Sequence, residues 1–219
     1  MRIGVLGTGM VGNAIAGKLV ALGHEVRMGS REAGNEKARA WAEAAGAGAS
    51  EGGFADAARF GELVVNCTAG AHSLAALEAA GRDNLAGKVL IDVANPLDFS
   101  AGMPPTLTVA NTDSLGEQIQ RAYPGIKVVK ALNTINCEVM VDPGKVPGEH
   151  DVFLCGEDAA AKRQVTELLE SFGWPAEHII DLGGIRSARG TEMYLPLWLS
   201  LWGTLGTGRF NIGVVRAEA

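Results

Sequence analysis

Gly7, Gly9 and Gly12 stand in the spacing G-x-G-x-x-G, directly after the apolar run Ile3-Gly-Val-Leu6 and before a segment with Ile15, Leu19 and Leu22 on one helical face. A strand that turns through glycines into a helix suits the cradling of a pyrophosphate. Gly7 permits the tight turn, Gly9 lets the backbone approach the anion, Gly12 lets helix pack on strand, and the free N–H groups of the helix N-terminus meet the charge. Thr8, Met10 and Val11 lie inside the same turn and share the predicted contact. In a chain with 30 glycines the spacing alone would carry little; the strand before it and the helix after it, closed by Gly23, give it meaning.

The second predicted strand, His24 to Arg31, ends where a dinucleotide unit that prefers NAD places an acid for the ribose hydroxyls. Gly29, Ser30 and Arg31 stand there instead, and a hydroxyl beside a planar guanidinium suits a 2′-phosphate, which favours NADP. Lys37 adds a second positive charge nearby or lies on a solvated helix face. Further along, the ends of three apolar runs carry the remaining candidates: Thr68, Ala69, Gly70 and His72; Asn95 and Pro96; and Asn133, Thr134 and Ile135. His72 either lies beside the nicotinamide or merely starts the next helix. Lys130 is ambiguous between a lysine base and a strand residue that faces solvent.

The elements that must position these residues follow from periodicity. After the helix over 35–45, residues 46–50 leave room for a short third strand, and 54–60 reads as a brief helix. Leu63–Thr68, Lys88–Val93 and Lys127–Leu132 are the fourth, fifth and sixth strands, whose carboxyl ends would border one crevice. The stretch 97–113 reads as a long functional loop over the site, and Ser114 with Glu117 forms a capping box for a helix to about Ala122. A strand, a helix closed by Gly173 and another strand extend the sheet over 152–182. The expected fold is α/β, a Rossmann doubly wound and mostly parallel sheet over 1–186, with a small C-terminal helical segment over 187–219. That segment is apolar all round from Met193 to Gly208, so it should be buried on more than one side, against its own sheet and against a second subunit or a flat ring ligand. A homodimer is the plainer of these readings, and Trp198 or Trp202 could form a pocket wall.

A net charge of −6 on 219 residues, without a basic stripe, argues against nucleic acid and an anionic membrane surface. Cys67, Cys137 and Cys155 lack the spacing of a disulfide framework or a zinc site, and no metal is expected. That cysteine usage makes a reducing cytoplasm the expected setting, and no run is long and apolar enough to span a bilayer, so the chain reads as soluble.

Gly-Thr-Gly-Met-Val-Gly, Gly-Ser-Arg, Val-Val-Lys-Ala-Leu-Asn-Thr-Ile and the late Ser187-Ala-Arg-Gly-Thr-Glu192 together resemble the NADP oxidoreductases that depend on the deazaflavin coenzyme F420. The resemblance covers nearly the whole chain. It implies that Ser30 and Arg31 hold the 2′-phosphate, Gly7 to Gly12 the pyrophosphate, and Thr68, Ala69, Asn95 and Asn133–Ile135 the nicotinamide end, with the deazaflavin stacked over it. Archetypal members carry a histidine where this chain has Asn133 and a proline where it has Asn136. Asn-Thr-Ile also looks like the soluble domain of the six-transmembrane metalloreductases, which pairs NADPH with an ordinary flavin.

The expected activity is hydride transfer between NADP(H) and coenzyme F420 or a related flavin-like acceptor, chemistry that asks the protein for distance, stacking and exclusion of water. His72 and Asn133 are the catalytic candidates. Two alternatives stand beside it. One is an NADPH-dependent reductase of a small carbonyl or imine, with His72 or Tyr194 as proton donor. The other is a non-catalytic NADP-binding regulatory module.

Overall fold

The structure is a computed structural model and describes residues 1–217. Its strands are β1 (Arg2–Leu6), β2 (Glu25–Ser30), β3 (Ala49–Gly53), β4 (Leu63–Asn66), β5 (Val89–Asp92), β6 (Leu97–Asp98), β7 (Thr106–Leu107), β8 (Lys127–Ala131), β9 (Val152–Cys155) and β10 (Ile179–Asp181). The helices are α1 (Met10–Ala21), α2 (Glu36–Ala45), α3 (Phe54–Phe60), α4 (Gly70–Ala80), α5 (Arg82–Leu85), α6 (Leu115–Ala122), α7 (Cys137–Met140), α8 (Ala159–Phe172), α9 (Ala188–Met193) and α10 (Leu195–Leu205). Eight strands form one sheet in the order β10-β9-β8-β5-β4-β1-β2-β3. Every neighbouring pair is parallel except β8 with β9, so β9 and β10 extend the parallel sheet from its edge as an inverted pair.

The central strands are short apolar runs because helices cover both faces of the sheet. One apolar layer gathers Ile3, Val5, Ile15, Leu19 and Val65 under α1, α2 and α8, and the other gathers Leu6, Val64, Leu77, Leu90 and Ile119 under α3, α4 and α6. Strand order reverses between β1 and β4, where the chain departs to opposite sides and leaves a crevice. The expected Rossmann sheet with a C-terminal helical segment is the observed fold.

Two expectations about local structure need correction. The third strand starts three residues later than the room left for it, at Ala49, because Gly46 and Gly48 take positive φ values of 76° and 95° and form the turn instead. The stretch 97–113 is not a plain loop: β6 and β7 pair antiparallel within it, Leu97 opposite Leu107 and Asp98 opposite Thr106, so the cover over the crevice begins as a small hairpin.

Ser114 caps α6, but the reciprocal half of the expected capping box is not made: the Glu117 carboxylate takes the Ser114 hydroxyl and Arg189 in place of the Ser114 backbone N–H. The Glu117 backbone N–H donates to the Ser114 hydroxyl at 3.2 Å, and that hydroxyl donates to the Glu117 carboxylate at 2.8 Å. Arg189 of α9 grips the same carboxylate through two donors at 2.8 and 2.6 Å, and Arg121 grips Asp113 at 2.9 and 2.7 Å. The Arg189 guanidinium is the main reason the Glu117 carboxyl titrates below its usual range, and Arg121 does the same for Asp113. Folded-state values below the unfolded ones mean that this stabilisation is present above the ordinary carboxylate pKa of about 4 and is lost as pH falls through the lower folded values. The thermal midpoint should therefore hold steady from neutral pH to about pH 5 and decline below about pH 4. The decline should be shallower in an Asp113→Asn, Glu117→Gln double variant, and an equally steep decline in that variant would remove these two pairs as its cause.

α10 presents an open apolar side, the side that the expectation gives to a second subunit or a flat ring ligand. Leu195 is buried, but Leu197, Trp202 and Leu205 stand 57, 43 and 54% exposed, so in the single chain the helix is covered on one side only. No helix among the described residues is long and apolar enough to cross a membrane.

Candidate nucleotide site

β1 delivers the chain to Gly7, whose φ of 119° only glycine adopts without strain, and a Cβ there would lie 2.7 Å from the Cys67 carbonyl oxygen. A Cβ on Gly12 would lie 2.1 Å from the Gly7 carbonyl oxygen, so this glycine is what lets α1 sit against the turn. Gly9 is different in kind: a Cβ would meet nothing within 4 Å, because the space beside it opens into the crevice. Gly9 also caps α1 without a side-chain acceptor, and no acid lies in the helix's first turn, which leaves that N-terminus free for an anion. Gly7 and Gly12 thus serve the turn and the helix packing expected of them, and Gly9 leaves open the space that its expected role needs.

Three cavities join along this turn. The first, about 360 Å³, is lined by Gly7, Thr8, Ser30, Arg31, Glu32, Asn35 and Phe54. Sharing Gly7, Thr8, Arg31 and Phe54 with it, a second of about 510 Å³ passes Gly9 and reaches Cys67, Thr68, Ala69 and His72. Those last four also border the third, about 400 Å³, which continues past Val11, Gly70 and Asn95 to Leu97, Phe99 and Thr108 of the hairpin. One crevice therefore runs from the end of β2, over the glycine turn, to the ends of β4 and β5.

The predicted residues distribute unevenly along it. Thr8, Val11, Arg31, Thr68, Ala69, Gly70, His72 and Asn95 line the crevice. Met10 is 81% exposed beside the turn. Arg31 is exposed, and its guanidinium makes no hydrogen bond or ion pair among the described residues, so it is free for a ligand. Ser30 is a partial correction: its hydroxyl donates to the Glu32 carbonyl and is committed to the turn. Lys37 is exposed in the first turn of α2, where its backbone N–H donates to the Asn35 side chain, and it lies outside the crevice lining. Pro96 serves the hairpin, its carbonyl accepting the Thr108 N–H at 2.8 Å.

Asn133, Thr134 and Ile135 are 3, 3 and 5% exposed, so the predicted nicotinamide contact from this loop is not made at the crevice wall. Asn133 instead locks to Asn95: its side-chain amide donates to the Asn95 Oδ1 at 2.9 Å, and the Asn95 amide donates to the Asn133 carbonyl at 2.8 Å. The loop acts from behind, by fixing Asn95. His72 lies in the first turn of α4, exposed and without a carboxylate partner among the described residues. Tyr194 is no better placed as a donor, since its hydroxyl is buried without a partner among the described residues, burial raises its pKa, and it lies outside the crevice lining. Burial pushes the Cys67 thiol above its usual range and the Cys155 thiol up to about 12, so neither is a ready nucleophile.

Lys130 does not face solvent. Its ammonium is fully buried between the carboxylates of Asp92 and Glu192, each at 2.8 Å, and also donates to the Ala94 carbonyl. Burial opposes the charge, but the two carboxylates outweigh it and hold the Lys130 pKa above the usual lysine value. Strand register explains the meeting, because Asn66, Asp92 and Lys130 stand opposite one another on β4, β5 and β8. Sequence reasoning missed Asn66, Ser73, Asp92, Glu192 and Glu32. A signal existed for Asn66 and Asp92: each is the one polar residue closing an apolar strand, Leu-Val-Val-Asn and Val-Leu-Ile-Asp.

Comparison with known proteins agrees with this geometry. Residues 2–96 match the family described as NADP oxidoreductase, coenzyme F420-dependent. The F420-dependent NADP reductase of Methanothermobacter marburgensis is 30% identical over 92% of this chain and 92% of its own. A crystal structure from Arthrobacter sp. FB24, provisionally described as an F420-dependent NADP reductase, superimposes with a TM-score of 0.93 at 54% identity, covering 99% of this chain and all of that one. Metalloreductase STEAP3 of Rattus norvegicus is 28% identical over 90% of this chain, which spans only 38% of that longer protein.

Proposed function

The chain belongs to the coenzyme F420-dependent NADP oxidoreductase family, and from that membership we propose that it binds NADP(H) along the crevice and transfers hydride between the nicotinamide and a deazaflavin or related flat acceptor. The observation that carries the reading is the continuity of the crevice from the unpartnered Arg31, across the open face of Gly9, to the cavity walled by Thr68, Ala69, Asn95 and Phe99.

Arg31 would grip the 2′-phosphate with its planar fork, and the N–H groups opening α1 would receive the pyrophosphate. Thr68, Ala69 and Asn95 would orient the nicotinamide, with Asn95 held still by its amide pair to Asn133. When bound, NADPH supplies a hydride donor at its nicotinamide ring. The chain's own work is then alignment and dryness: Val11, Val93, Ala94 and Leu97 give that end of the crevice an apolar lining. Among the described residues neither His72 nor Tyr194 has the partners of a general acid, which favours a ring acceptor over reduction of a small carbonyl or imine, since the latter must protonate oxygen or nitrogen. A second copy of the chain is the occupant this reading gives to the exposed face of α10, making the protein a homodimer.

Stopped-flow mixing with NADPH and oxidised coenzyme F420 tests the activity, with NADH and riboflavin phosphate as controls. Rapid loss of the deazaflavin's visible absorbance with NADPH is expected. Persistence of that absorbance despite NADPH binding would overturn the acceptor and return the protein to small-substrate reduction.

A further inference from the structure

Asn66 is fully buried and completely bonded. Its amide nitrogen donates to Asp92 Oδ1 at 2.8 Å and to the Ser73 hydroxyl at 3.0 Å, and its Oδ1 accepts the Thr68 hydroxyl at 2.7 Å and the Thr68 backbone N–H at 3.3 Å. Which way this amide faces follows from its neighbours. Asp92 faces the Lys130 ammonium at 2.8 Å and the Ala94 N–H at 3.3 Å, both donors, so its carboxylate acts as an acceptor independently of Asn66. Glu192 supports that state from the far side of Lys130, its own carboxylate accepting the Leu115 and Gly116 N–H groups at 2.8 and 3.0 Å.

The consequence reaches the crevice. An ionised Asp92 requires the NH2 side of Asn66, which turns Asn66 Oδ1 toward Thr68, which obliges the Thr68 hydroxyl to donate inward. Ser73 Oγ accepts the Asn66 N–H, so with the Thr68 hydroxyl already donating to Asn66 it is the Ser73 hydroxyl that donates to Thr68 Oγ1, at 3.0 Å. Thr68 is left with one unengaged lone pair and no proton to give, at a position that walls both the second and third cavities.

We propose that the buried row Glu192–Lys130–Asp92–Asn66 fixes Thr68 as a hydrogen-bond acceptor in the crevice, where it reads an N–H of the nicotinamide carboxamide. Thr68 is the specificity contact, and Asp92, Lys130 and Glu192 are positioning residues that set its polarity from more than one residue away. This rests on the NADP reading of the crevice. It also gives the buried charges a role that stability does not require, since a buried ion pair is on average no more stabilising than well-packed apolar residues.

The test compares binding of NADPH with binding of its analogue in which the carboxamide is replaced by an acetyl group, which has no N–H to offer. Full-length wild type, Thr68→Val, Asp92→Asn and Glu192→Gln are titrated with both. Wild type should favour NADPH by roughly tenfold, the scale of one well-placed hydrogen bond. Thr68→Val should bring the ratio close to one. Asp92→Asn, which frees Asn66 to turn over, should lower the ratio even where both affinities fall. A merely structural role would weaken both ligands in proportion, so an unchanged ratio in Thr68→Val, or in Asp92→Asn, would overturn the inference. Failure of wild type to bind NADPH at all would overturn the NADP reading itself, and the two failures are told apart by that first titration.

Discussion

Replacing Lys130 with methionine should destabilise the protein by about 3–5 kcal/mol, because it leaves the carboxylates of Asp92 and Glu192 buried together with no cation between them. That is a large share of the roughly 5–15 kcal/mol that separates folded from unfolded states. At this chain length it would lower the thermal midpoint by on the order of 10 °C. The pH dependence identifies the cause. Unpaired buried carboxylates have folded-state pKa values above their unfolded ones, so the folded variant binds more protons than the unfolded chain and its stability falls as pH rises. The gap between wild type and Lys130→Met should therefore be widest near neutral pH and narrow toward pH 5. Thermal denaturation at a series of pH values measures it. A gap that is constant with pH would mean that lost packing, not uncompensated charge, is responsible.

The second large effect is on ligand preference. Arg31→Ala should weaken NADPH binding by roughly 1.5–3 kcal/mol, the scale of a hydrogen bond to a charged group, which is about a tenfold to hundredfold rise in Kd. NADH lacks the 2′-phosphate, so its Kd should change little. The structure sharpens this expectation, because Ser30 has its hydroxyl committed to the Glu32 carbonyl and Lys37 lies outside the crevice, leaving Arg31 as the free cation at that end among the described residues. Equal losses for both dinucleotides would remove the 2′-phosphate role. Since Glu32 borders the same cavity, Glu32→Gln is the natural companion: removing a negative charge near the phosphate should strengthen NADPH binding and leave NADH nearly unchanged.

Much of this protein was legible because its information is local. The glycine spacing is a statement about one turn: φ at Gly7, close approach at Gly12 and open space at Gly9 are demands met within six residues. The same holds for the Ser114–Glu117 cap and the apolar strand runs, whose periods a reader can count. The absence of an acid at the end of β2 is equally local, and it pointed to Arg31 without any knowledge of how the sheet closes.

What lay between elements was not legible. Lys130, midway along an apolar strand, offers the sequence two contrary readings, and only the register of β4, β5 and β8 shows that Asn66, Asp92 and Lys130 form one row. Glu192 lies 62 residues beyond Lys130 in the chain, and nothing short of the packing of α9 on α6 brings it to that ammonium. The Asn133 loop misled for the same reason: its residues suit a crevice edge, but the amide pair with Asn95 turns it into the wall behind. Sequence by itself determined the glycine turn, the fold class and which arginine is proposed to read the 2′-phosphate, because each depends on the conformations and spacing of neighbouring residues. Tertiary structure decided which polar side chains meet, and with it the direction in which Thr68 carries its proton, because buried charges and amides take their state from partners that arrive from distant parts of the chain.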